Sequence, residues 1–73
     1  MDLKEAVAVA KQRIGDLFAA DAPQNVRLEE FSYDDHLGVW ILTIGFALSA
    51  QARSYKIIRV SQGDKSVLSV RDR

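Results

Sequence analysis

Residues 38–46, GVWILTIGF, form an unbroken stretch without a charge. In an extended strand, alternate side chains point to opposite faces. Trp40, Leu42, Ile44 and Phe46 therefore go one way, and Val39, Ile41 and Thr43 go the other, with Gly45. Neither set suits water. A chain of 73 residues makes one domain, residues 1–73, and buries only roughly 60% of its unfolded surface. Covering both faces of this strand is the problem the rest of the chain has to solve.

The first cover is a helix. Leu3, Val7, Ala10, Ile14, Leu17 and Phe18 recur at spacings of three and four, which places them on one helical face over residues 3–20. Asp2 stands at the N-cap position, with Glu5 three residues later where a capping box needs it. Pro23 cannot continue a helix and disfavours helical geometry at Ala22. Gly15, inside the helix, costs about 1 kcal/mol relative to alanine; close approach to a strand would explain it, and so would a plain surface position.

Beyond Pro23 the period changes from 3.6 to two. Val26 and Leu28 alternate with Arg27 and Glu29, and then Phe31 and Tyr33 take the other parity. One extra residue near Glu29–Glu30, a β-bulge, restores the phase. Residues 34–38, DDHLG, read as a hairpin turn. The apolar strand follows to about residue 48, with Gly45 marking a bend. Residues 49–53 are a connection with room for a helical turn. Residues 54–61 form a third strand, 62–65 (QGDK) a second turn, and 66–71 a fourth strand. Short turns make sequential strands antiparallel. The expected fold is α+β: one N-terminal helix packed on a three- to four-stranded antiparallel meander sheet.

The helix is expected to cover Trp40, Leu42, Ile44 and Phe46, joined by Ile58, Val60, Leu68 and Val70. That leaves Val39, Ile41, Thr43, Tyr55, Ile57 and Val67 on the other face, interrupted by Arg53, Arg59 and Arg71. A half-solvated antiparallel sheet normally alternates more cleanly than this. The expectation is that a protein partner or an identical chain covers the second face, making these six residues a protein interface. An inhibitor or immunity-type role, or a regulatory one, is a form of the same reading. The alternative is a nucleic-acid-binding module in which Arg53, Arg59 and Arg71 contact phosphates beside Tyr55. It is disfavoured because the whole chain is neutral. The charges are nonetheless divided. Residues 1–37 hold eight acids and four bases, a net −4, and residues 38–73 hold six bases and two acids, a net +4.

Catalytic signatures are lacking. Asp34, Asp35 and His36 are the one cluster of metal-ligating or acid–base groups, but adjacent turn residues do not supply a tetrahedral ligand set. Glu29 and Glu30 are consecutive on a strand and point apart, so they do not share a proton. The serines have no nucleophile-elbow context and the glycines no phosphate-loop spacing. The chain has no cysteine, which removes disulfides and thiolate metal sites and suits a reducing cytoplasm. The charged N-terminus does not read as a signal peptide, and no apolar run approaches the ~20 residues that span a bilayer. The expectation is a cytoplasmic, non-enzymatic protein without cofactor or membrane association.

Residues 28–33 (LEEFSY), 38–46 (GVWILTIGF), 54–60 (SYKIIRV) and 67–73 (VLSVRDR) together resemble small bacterial proteins of PepSY-like plan, in which an alanine-rich helix precedes a strand meander. The likeness spans nearly the whole chain, and its motifs are structural. Residues 60–65 (VSQGDK) lack the acid that pattern places straight after the strand, and the export signal common in the group is not expected here. The resemblance implies a binding module that restrains a partner protein and carries no catalytic residues.

Overall fold

The computed structural model describes residues 1–48 and 53–73. Helix α1 runs Leu3–Leu17, and four strands follow: β1 Gln24–Asp34, β2 Val39–Ala47, β3 Arg53–Ser61 and β4 Val67–Asp72. The sheet order is β1-β2-β3-β4, antiparallel throughout. The fold is the expected α+β meander with the helix on one face. The proposed helical turn in the 49–53 connection falls largely outside the described residues.

Asp2 caps α1 by accepting the Glu5 backbone N–H at 2.9 Å. The Glu5 carboxylate does not reach back to complete a capping box; it pairs with Lys65 at 3.2 Å, pinning the helix N-terminus to the β3–β4 turn. Ala6, Ala10 and Ile14 are fully buried against the sheet. The two alanines have no side chain beyond Cβ, so the helix can settle close to the strands. The helix stops three residues earlier than its periodicity predicts. Residues Ala19–Asp21 tighten into a 3-10 turn, and Ala22 adopts a left-handed φ of 49° before Pro23. Leu17 is 53% exposed, because Phe18, four residues after Ile14, takes the inward position. The Phe18 ring packs on Phe46 with centroids 5.0 Å apart. A Cβ at Gly15 would meet nothing within 4 Å, so this glycine serves no close approach.

Leu28 pairs with Ile44 and Glu30 with Thr43, leaving Glu29 as the extra residue of a bulge. The bulge sits where the parity switch placed it. It returns Phe31 and Tyr33 to the helix side, opposite Leu42 and Trp40. The helix does not reach them: Phe31 is 57% exposed, and Tyr33 leans on Trp40 with ring centroids 4.8 Å apart. The β1–β2 turn is held by the Asp34 carboxylate, which accepts the backbone N–H groups of His36 and Leu37 at 3.0 and 3.1 Å. Gly38 closes it with a φ of 64°.

A second bulge was not foreseen. Arg59 pairs with Ser69 but Val60 pairs with Val67, so Leu68 is the unpaired residue. Val67 consequently packs on the helix side with Val70, and Leu68 is 53% exposed. Both residues exchange the roles that simple alternation assigned them, and Val67 leaves the expected interface set. The core is Ala6, Ala10, Ile14, Leu42, Ile44, Phe46, Ile58 and Val60.

Candidate functional site

The helix-free face of the sheet is the candidate site. Register arranges it in rows that run across the strands. One row reads Ser32–Ile41–Arg59–Ser69 and the next Glu30–Thr43–Ile57–Arg71. Below them, Gly45 lies between Arg27 and Tyr55, and Ala47 pairs with Arg53. Strand alternation thus brings Val39, Ile41, Thr43, Tyr55, Ile57, Arg53, Arg59 and Arg71 to one surface, as expected, and excludes Val67.

This surface is not bare. Val39 is 3% and Thr43 8% exposed although no second layer lies over them; the remaining apolar members, Ile41, Tyr55 and Ile57, are half-buried. Around Gly45 and Tyr55, long charged side chains from neighbouring strands lie over the sheet. Arg53 donates from Nη2 to the Asn25 carbonyl at 2.9 Å and lies 3.4 Å from Glu29 Oε2. Arg27 reaches the same Glu29 oxygen at 3.2 Å. Arg73 stacks over the Tyr55 ring, 5.3 Å from its centroid, and pairs with Glu30 at 2.8 Å. That last pair ties the end of the chain after β4 to β1, across the two strands between.

Gly45 makes the arrangement possible. A Cβ there would stand 2.6 Å from Glu29 Oε2 and 3.0 Å from both Arg53 Nη2 and the Tyr55 ring. The residue leaves the space into which the bulged Glu29 and its arginine fold. The expectation that Glu29 and Glu30 point apart does not hold: the bulge turns Glu29 to the same helix-free face as Glu30, where Glu29 meets Arg27 and Arg53 and Glu30 meets Arg73.

Among the described residues, Arg59 and Arg71 form no ion pair, and the Ser69 Oγ beside them is buried without a hydrogen-bond partner. Arg53, the third arginine of the nucleic-acid reading, is held by Glu29 and Asn25, and the ring of Tyr55 is occupied by Arg73.

Elsewhere the possibilities are fewer. Asp34 is occupied by its own turn, and among the described residues no group of three His, Cys, Asp or Glu side chains is placed to hold a metal ion. A groove of about 450 Å³ runs between α1 and the start of β4, walled by Ala8, Val9 and Val67 and edged by Arg13, Asp16 and Lys65. It is open along one side, and its lysine is taken up by Glu5. No helix among the described residues is long and apolar enough to cross a membrane. Comparison with protein-family models, with curated proteins and with solved structures finds no match for this chain.

Proposed function

We propose that this protein is a non-enzymatic interaction module that works through the helix-free sheet face and takes up a second copy of itself there. The observation that carries this reading is the row structure of the face: half-buried Ile41 and Ile57 at its centre, acids on the β1 side and unpaired arginines on the β3–β4 side. Interfaces favour such an apolar centre within a polar rim, with arginine and tyrosine enriched. The charge division makes the face complementary to itself.

Four strands ~4.8 Å apart and about nine residues long at ~3.3 Å each give a face of roughly 500 Å². Two copies then bury about 1,000 Å², at the lower bound for a specific interface. A weak, reversible dimer is expected. A PepSY-like origin belongs to the same proposal and carries the same non-catalytic role. The nucleic-acid alternative has less support, since Arg53 and Tyr55 are already engaged within the chain.

Sedimentation equilibrium up to about 500 μM, where an interaction of modest free energy is populated, tests the proposal. Wild type should self-associate. The Ile41→Lys variant should keep its circular dichroism and remain monomeric. A wild type that stays monomeric over the whole range refutes self-association.

A further inference from the structure

The face has two possible two-fold arrangements with a partner copy, and its charges distinguish them. A face-to-face dimer has its axis in the plane between the sheets. An axis across the strands sets β1 on β1 and β4 on β4. An axis along the strands sets β1 of one copy on β4 of the other. Thr43 is the middle residue of β2 and Ile57 the middle residue of β3, so the row Glu30–Thr43–Ile57–Arg71 passes through the centre of the sheet. With the axis across the strands, Glu30 meets Glu30 and Arg71 meets Arg71. With the axis along them, Glu30 meets Arg71 at both ends of the row, and Thr43 meets Ile57 in the middle.

Resting on the self-association reading above, we propose that the two copies pack about an axis parallel to the strands between β2 and β3, with Glu30 of each copy receiving Arg71 of the other. Arg71 has no ion-pair partner among the described residues, while Glu30 is engaged by Arg73 through Oε1, leaving its other oxygen for a second guanidinium. Aligned sheets cross at about −30°, which displaces the row ends, ~7 Å from the axis, by roughly 4 Å. Arginine and glutamate side chains span that offset. The same rotation sets Ser69, whose Oγ has no hydrogen-bond partner among the described residues, opposite Ser32 of the other copy. Glu30 and Arg71 are therefore the specificity-determining residues of the interface. Each symmetric contact occurs twice, so each substitution counts twice.

Charge exchange tests the geometry. Glu30→Arg and Arg71→Glu are purified separately, checked for fold by circular dichroism, and measured by sedimentation equilibrium alone and as an equimolar mixture. Each alone should self-associate roughly tenfold more weakly than wild type or worse, since two attractive pairs become two repulsive ones. The mixture should recover close to wild-type affinity as a heterodimer, because both contacts are again opposite in sign. Arg71→Glu removes no internal ion pair and stands as the cleaner variant should Glu30→Arg fail to fold. Wild-type dimers with unaltered single variants, or a mixture that does not recover, overturn this axis while leaving self-association intact. A monomeric wild type overturns both, as does a monomer that instead retains single-stranded RNA at low salt.

Discussion

Substituting Gly45 by alanine probes the covered sheet face directly. The added Cβ would lie 2.6 Å from Glu29 Oε2 and 3.0 Å from Arg53 Nη2 and from the Tyr55 ring. The first two atoms are the ends of flexible side chains and can withdraw, but withdrawal loosens the Glu29–Arg53 contact and the Arg53 bond to the Asn25 carbonyl. A partly exposed ion pair contributes about 0.2–1 kcal/mol, and a hydrogen bond from a charged group about 1.5–3 kcal/mol. Against this, alanine in a strand gains roughly 0.5–1 kcal/mol over glycine by restricting the unfolded chain. The net expectation is a loss of about 1–2 kcal/mol, or a fall in Tm on the order of 4–8 °C for each kcal/mol in a domain of this size. Urea unfolding read by Trp40 fluorescence measures it. Trp40 is the only tryptophan, is half-buried, and donates its indole N–H to Gln62 at 2.7 Å. Adding Glu29→Ala to Gly45→Ala should recover part of the loss, because the closest obstacle is gone; the two changes then couple rather than add. A Gly45→Ala protein as stable as wild type, or changes that add without coupling, would show that Glu29 and Arg53 do not occupy the space above residue 45.

Two further outcomes follow from local geometry. Gly15→Ala, at an exposed helical position with open space around it, should stabilise the protein by about 0.5–1 kcal/mol; a shift to lower urea midpoint would contradict an open site. In the β3–β4 turn, Asp64 accepts the Ser66 hydroxyl at 2.7 Å and the Ser66 N–H at 3.1 Å, and these bonds, the hydroxyl first, hold its carboxyl below the ordinary value. A depressed folded-state pKa contributes stability above the ordinary carboxylate pKa, and that contribution is lost as pH falls through the lowered value. Ser66→Ala should raise the Asp64 titration midpoint measured by carboxyl ¹³C shifts; an unmoved midpoint would remove Ser66 as the cause.

Legibility in the sequence followed the range of the interactions involved. Helix α1, the turns at 35–38 and 62–66 and the meander all rest on periodicity, caps and turn residues within a few positions of one another. The Glu29 bulge was legible for the same reason, since apolar parity reverses between Leu28 and Phe31. The Leu68 bulge left no such trace: Val67 and Leu68 are both apolar, so neither register is betrayed by a misplaced polar residue, and pairing with β3 alone decides which one faces the helix. The helix stop after Leu17 was likewise hidden, because Leu17 and Phe18 both fit the stripe and only Phe46 selects between them.

The candidate site divides along the same line. Alternation was enough to place Ile41, Ile57, Tyr55 and three arginines on one face and to show that one helix leaves it uncovered. It did not show that the chain partly covers that face itself. The contacts responsible join Glu29 to Arg53 and Glu30 to Arg73, residues 24 and 43 positions apart. Side-chain period is a property of the local backbone, whereas the meeting of two distant charges depends on strand order and register, which exist only once the sheet has assembled.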